Sequence, residues 1–245
     1  MFNNLYSSKL LPNYSFIKKL LLVKGPSKTN KIKMTDWSGI AYIDIKENTS
    51  PFALTAEWFD EAKKYGNYKL VFNLATSTKS GEVSNRFLVL QDFVNDKFRF
   101  ISNENSLKGQ DMKENPMVAA CFLLKYSKDG NHITRQLRCQ GTITKMSYEE
   151  ASDYYKKDPL YCQIRSHIYR QGEIVDWNEQ KQKYDELVRR VEEGVTLTMP
   201  VYQTGYEISP FSFDFYDSAG DQIADRMVFK KNEENGCWDY HRVAA

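Results

Sequence analysis

Five runs of β-branched and aromatic residues follow one another through the first part of this chain: Tyr68 to Ala75, Ser84 to Leu90, Phe98 to Ser102, Met117 to Lys125 and Arg135 to Lys145. The breaks Lys79-Ser80-Gly81-Glu82, Val94-Asn95-Asp96-Lys97 and Ser127-Lys128-Asp129-Gly130-Asn131 carry hairpin-type turn residues. Short strands at this spacing predict an antiparallel barrel. Further strands are expected at Gly205 to Ile208, Ser212 to Tyr216, Arg226 to Lys230 and Cys237 to Arg242.

Helical patterning frames this set. Apolar side chains from Pro51 to Ala62 recur at helical spacing, with Gly66 as a stop. Ser147 followed by Glu150 reads as a capping box, opening a helix that is interrupted at Pro159 and runs to about Arg170. A second helical stretch covers Asp176 to Glu193. The order, one helix, five strands, helices and returning strands, places the chain in the α+β class, a barrel closed by its own C-terminus.

The 245 residues fit one large domain or two small ones, and 41% hydrophobic with 14% aromatic content is rich enough for a folded core. A net charge of +2, from 34 basic and 32 acidic residues, gives no overall field toward nucleic acid or an anionic membrane. Any anion site must therefore be local. Cys121, Cys139, Cys162 and Cys237 are widely spaced, with no C-x-x-C pair; with only His132, His167 and His241 beside them, no metal site is expected. Reduced thiols point to an intracellular compartment, cytoplasmic or mitochondrial.

Residues 1–35 contain seven lysines and no acidic residue, and read as a basic N-terminal extension to a single domain over 36–245. A mitochondrial transit peptide, a disordered extension and a start upstream of Met34 all fit this segment. Its apolar run, Phe16 to Val23, is too short to span a membrane.

The segment Phe213-Asp214-Phe215-Tyr216-Asp217-Ser218-Ala219-Gly220-Asp221-Gln222-Ile223-Ala224-Asp225-Arg226 resembles the signature of the pyridoxamine 5'-phosphate oxidase family, E-F-W-Q-G, three variable positions, then R-L-H-D-R. Asn73 to Ser77 with Ser84 to Leu90, Phe98 to Asn103 with Ser106 to Gly109, and Arg135 to Gly141 are similar to further motifs of that family in the same order. The resemblance runs from about Pro51 to the last residue. It implies an antiparallel FMN-binding split β-barrel with flanking helices, and a homodimer whose two flavins each lie at the interface.

FMN carries a dianionic phosphate and a ring whose polar edge needs hydrogen bonds, so its pocket requires cations, short donors and amides. By resemblance, Arg86, Phe87, Leu88, Val89, Ser102, Lys108, Gln136, Gln171, Tyr216 and Arg226 stand at cofactor-binding positions. Arg86 and Lys108 would grip the phosphate, Ser102 would donate to it and Gln136 would bond the ring edge. Leu107 replaces a family Arg, Gly172 a Ser and Tyr216 a Trp. Taken singly, each such residue is an ordinary solvated position on a strand or helix; in one frame they form a flavin site.

The substrate side departs further. The family holds the 5'-phosphate of its substrate with a Lys, a Tyr, an Arg and a Ser, and contacts the ring and reacting carbon with an Arg and a His; here those positions are Gln91, Tyr154, Asp158, Cys162, Gln222 and Ala224. An Asp beside a dianion opposes binding. Arg165 and Arg170 read as a surface helix face that could offer relocated charge. The resemblance implies an FMN-dependent oxidoreductase of vitamin B6 metabolism, oxidising pyridoxine or pyridoxamine 5'-phosphate to pyridoxal 5'-phosphate. The replaced residues keep a second reading open, a diverged FMN- or small-ligand-binding paralogue without this activity.

Overall fold

A computed structural model describes residues 39–46, 49–66 and 69–245. The basic extension over 1–35, with the transit-peptide reading of it, lies outside the described residues.

Helix α1 (Pro51–Gly66) starts on a proline, whose missing N–H is no loss in a first turn, and Ser50 Oγ accepts from the Phe52 amide at 3.2 Å. Its buried face is Leu54, Trp58, Phe59 and Ala62, three and four residues apart. Trp58 meets Phe215 edge-on at 5.1 Å, and Phe59 packs on Phe122 at 4.9 Å. Those contacts seat the helix on the sheet.

All the strand pairings of the sheet are antiparallel. Its strands are β1 (Val71–Ser77), β2 (Val83–Val89), β3 (Asp92–Val94), β4 (Lys97–Asn103), β5 (Met117–Lys128), β6 (Asn131–Lys145), β7 (Gln203–Ala219), β8 (Asp225–Lys231) and β9 (Trp238–Arg242). They run in the order β2-β1-β5-β6-β7-β4-β3, with β8 and β9 branching from β7. The branch is what splits the barrel: β6 follows β7 along its length, while on the other side β4 pairs with Gln203 to Ile208 and β8 with Ser212 to Asp217. The interior is largely aromatic, with Phe72, Phe98, Phe100, Phe122, Phe213, Phe215 and Phe229 fully buried. Each contributes about 1.5–3 kcal/mol of burial. This is the α+β split barrel that the sequence predicts.

Two expected strands, Gly205 to Ile208 and Ser212 to Tyr216, are one continuous β7. The sequence break is Pro210, which has no N–H for a ladder. Gln140 pairs with Ser212 and Gly141 with Pro210, so Phe211 beside the proline is a bulge in β7, and this bulge absorbs the missing donor. Gly141 is required there, because a Cβ would sit 2.6 Å from the Ser209 carbonyl oxygen.

Helix α2 (Leu107–Glu114) is a second departure, since its short polar sequence has no helical stripe. Ser106 caps it, accepting from the Gly109 amide at 3.3 Å, and a side chain at Gly109 would collide with the Glu104 carbonyl. The remaining helices are α3 (Tyr148–Lys157), opened by the expected Ser147–Glu150 capping box, α4 (Leu160–Ile168) and α5 (Trp177–Glu192). Among the described residues no helix is long and apolar enough to cross a membrane.

Candidate functional site

A cleft of about 590 Å³ opens where the free edge of the sheet faces α2 and α4. Seven of the ten predicted cofactor residues line it: Arg86, Phe87, Leu88 and Val89 on β2, Ser102 on β4, Lys108 on α2 and Gln171 after α4. Among the described residues β2 ends the sheet, and its outer backbone groups have no neighbouring strand there. From the predicted substrate set, Gln91 and Cys162 line the same cleft, as does Asp158.

The floor of the cleft is electrostatically unusual. Lys108 is only 8% exposed, and its ammonium donates to two neutral groups, Ser106 Oγ at 2.9 Å and Gln171 Oε1 at 3.0 Å. No carboxylate pairs with it among the described residues. Burial first, then the like charges of Arg86 and Arg165, push this ammonium down from 10.5 to about 8. Arg86 is held in place by neutral oxygens: its Nη1 donates to the Leu74 carbonyl at 3.2 Å and to Thr76 Oγ1 at 2.8 Å, and its Nη2 to Ser84 Oγ at 2.6 Å. Both hydroxyls in turn donate to buried Asp111, at 2.6 and 3.0 Å. Desolvation lowers the Arg86 guanidinium and Asp111 offsets part of that.

Gln136, Tyr216 and Arg226 stand elsewhere. They are register neighbours across β6, β7 and β8, Gln136 opposite Tyr216 and Tyr216 opposite Arg226, in one row on the outer face of the sheet. Arg226 grips Asp214 through two bonds of 2.9 and 2.6 Å, and Arg138 bonds the same carboxylate. Burial alone would raise the Asp214 carboxyl, but these two arginines hold it below the ordinary range. Gln222 lines a separate hollow with Tyr42, Glu61 and Arg135. Tyr154 is outside the cleft as well: its hydroxyl donates to Asp92 at 3.0 Å and accepts from Arg99 at 3.5 Å.

On the substrate side, Gln91 Nε2 donates to Asp158 Oδ1 at 2.9 Å, closing together two positions where the family has cations. Leu107, which replaces a family Arg, is 62% exposed and lines a neighbouring groove rather than the cleft. Sequence reading missed Lys69, Tyr155 and Gln203 as lining residues; Arg165, read as an exposed helix position that could offer relocated charge, is exposed and lines the cleft. The signal was there: Tyr161, Cys162, Arg165, Ser166 and Tyr169 recur at three- and four-residue spacing, the stripe that α4 turns to the cleft.

The pyridoxamine 5'-phosphate oxidase family model matches residues 59–196, more than half of the chain. The chain belongs to that family. A pyridoxine/pyridoxamine 5'-phosphate oxidase from Leptospira biflexa is 31% identical over 186 residues, 76% of this chain and 85% of its own. Its namesake from Rhodopirellula baltica is 29% identical over 224 residues, 89% of this chain and 97% of that one. Among solved structures, PhzG from Burkholderia lata 383, in complex with tetrahydrophenazine-1-carboxylic acid, matches with a TM-score of 0.69 at 20% identity, covering 83% of this chain and 99% of that one. A pyridoxamine 5'-phosphate oxidase-related, FMN-binding protein from Nostoc punctiforme gives 0.62 at 14% identity, covering 81% and 100%. Both structural likenesses are likenesses of fold.

Proposed function

We propose that the cleft holds FMN and that the protein is an FMN-dependent oxidoreductase of the pyridoxamine 5'-phosphate oxidase type, altered on its substrate side. The observation that carries this is Lys108. A nearly buried ammonium, bonded only to neutral oxygens and repelled by two guanidiniums, is costly unless a dianion joins it. A flavin phosphate supplies that charge. Ser102 lies in reach of the same end, and the free edge of β2 offers backbone groups to the rest of the ligand.

FMN, when bound, supplies the two-electron chemistry. This chain's own residues bind and orient. Arg86 and Lys108 neutralise the phosphate, while Arg86 stays fixed through Thr76 and Ser84.

In the same reading the protein is a homodimer, and the row Gln136, Tyr216 and Arg226 of one copy completes the cleft of the other. Two observations support it: the row lies away from the cleft of its own chain, and the sheet face beside the cleft exposes Val71, Phe87, Val89 and Leu123. Phe87 is 74% exposed, much for an aromatic side chain.

A specific observation favours the second reading for the substrate. The Gln91–Asp158 hydrogen bond occupies the place where a substrate phosphate would need cations. With charge also missing at Gln222 and imidazole at Ala224, the losses reach on the order of 5 kcal/mol, a thousandfold or more. Purified protein is therefore expected to show a flavin absorption band and to turn over pyridoxamine 5'-phosphate poorly, as read by peroxide production. A colourless protein that takes up no added FMN ends the flavin reading; turnover of ~1 per second or above ends the substrate argument.

A further inference from the structure

Arg165 has no place in the family frame and no ion-pair partner among the described residues. Near the cleft, Arg99 is paired with Glu207 and Arg170 with Glu173. Arg165 instead projects from the α4 stripe into the cleft that holds Arg86 and Lys108. It is close enough to Lys108 to help depress the ammonium. Three cations thus converge with no ion pair among the described residues, since the carboxylates that line the cleft, Asp158 and Glu173, bond Gln91 and Arg170 instead, and the phosphate-facing Arg of the family is replaced by Leu107, which lines the neighbouring groove. The charge missing from one side of the cleft is present on another.

We propose that Arg165 is a phosphate-binding residue, a third cation that meets the ligand dianion together with Arg86 and Lys108 and takes over the role lost at Leu107. This rests on the FMN reading above and adds to it a residue that the family pattern does not contain. Arg165 reaches the cleft from α4 rather than from α2, and its exposed side chain becomes ordered against the phosphate. A guanidinium presents a planar fork of donors that suits phosphate oxygens, whereas Lys108 acts as a point charge. The two cations are complementary.

Arg165 also borders a second groove of about 290 Å³, walled by Ile168, Trp177 and Tyr184. An anionic substrate entering from there is the competing use of the same guanidinium. Flavin affinity separates the two. Apo-protein is titrated with FMN and with riboflavin, which lacks the phosphate, following flavin fluorescence for wild type, Arg165→Gln, Arg165→Lys and, as a control on α5, Arg190→Gln. Loss of one charge-assisted contact to a phosphate is expected to weaken FMN by about tenfold or more in Arg165→Gln. Riboflavin should be unaffected, Arg165→Lys should lose less, and Arg190→Gln should match wild type. Wild-type FMN affinity in Arg165→Gln overturns the proposal while leaving the FMN reading standing. Equal losses for FMN and riboflavin overturn it too, because Arg165 would then act through the fold or the ring. Wild-type protein that binds neither flavin removes the FMN reading itself.

Discussion

Two clusters of half-buried cations sit on opposite parts of this molecule, and they are built in opposite ways. Where α1 meets β5, β6 and β7, Arg135 bonds Glu61 and lies 2.9 Å from Asp217, Lys128 bonds Glu61, and the Arg135 guanidinium stacks 4.8 Å from the Trp58 ring. Each charge there has a counter-charge within the chain. Bonds from Lys128, Arg135 and Tyr126 outweigh burial and hold the Glu61 carboxyl below its ordinary value. In the cleft, Lys108 has Arg86 and Arg165 as its charged neighbours and hydroxyl or amide oxygens as its bonds. The first arrangement is complete and serves the fold. The second has no such counter-charge bonded to Lys108 among the described residues, and in the proposed function an anion from outside completes it.

That contrast can be broken from either side. The largest effect is expected from Arg135→Met, which leaves Asp217 without its guanidinium and uncovers Trp58. Urea unfolding should show a loss of about 3 kcal/mol, with the FMN affinity of the folded protein unchanged. A neutral result would mean that the matched network is solvated rather than structural.

Lys108→Met should reverse the stability effect and move the affinity that Arg135→Met leaves alone. FMN affinity should fall ten- to a hundredfold, and by much less for riboflavin, while the apo-protein gains about 2 kcal/mol at pH 7 because a buried, repelled charge is gone. Loss of apo stability in this variant would show that the Ser106 and Gln171 bonds outweigh the burial of the charge.

The pH dependence sharpens the same comparison. The Lys108 ammonium has its folded value lowered to about 8 from 10.5, so between those values the unfolded chain holds more protons and the apo-protein grows more stable as pH rises. Below about pH 8 the penalty of the charged side chain is fully present. The stability gap between wild type and Lys108→Met should therefore narrow as the pH rises from 8 toward 10.5. FMN affinity should weaken above about pH 8 as the ammonium is lost. A gap independent of pH would place the effect outside this group.

The smallest effect belongs to an exposed pair. Lys181 and Asp185 are four residues apart on α5 and half-exposed, so Asp185→Asn should change stability by no more than about 0.5 kcal/mol and FMN affinity not at all. A larger change would mean that α5 supports the cleft more directly than its surface pairs suggest.

Local chemistry made much of this protein legible before any coordinates. The alternating runs gave their strands, the Asn95-Asp96 and Asp129-Gly130 turns adopt the left-handed backbone their residues favour, and Ser147 with Glu150 forms its box. The seven residues that share the cleft came instead from the family resemblance, whose motifs fall on β2, β4, α2 and the segment after α4. Three things were decided by tertiary structure alone. Pro210 does not end the strand, since a bulge beside it at Phe211 absorbs the lost donor. Gln136, Tyr216 and Arg226 form a row away from the cleft, because strand register rather than sequence proximity sets which side chains become neighbours. Arg165, which the sequence offers only as one of two helix arginines able to supply relocated charge, is brought beside Arg86 and Lys108 when α4 folds over the edge of the sheet, with no ion-pair partner among the described residues. Period and turn chemistry act over a few residues and can be read along the chain; charge balance is a property of distances between segments, and those exist only after folding.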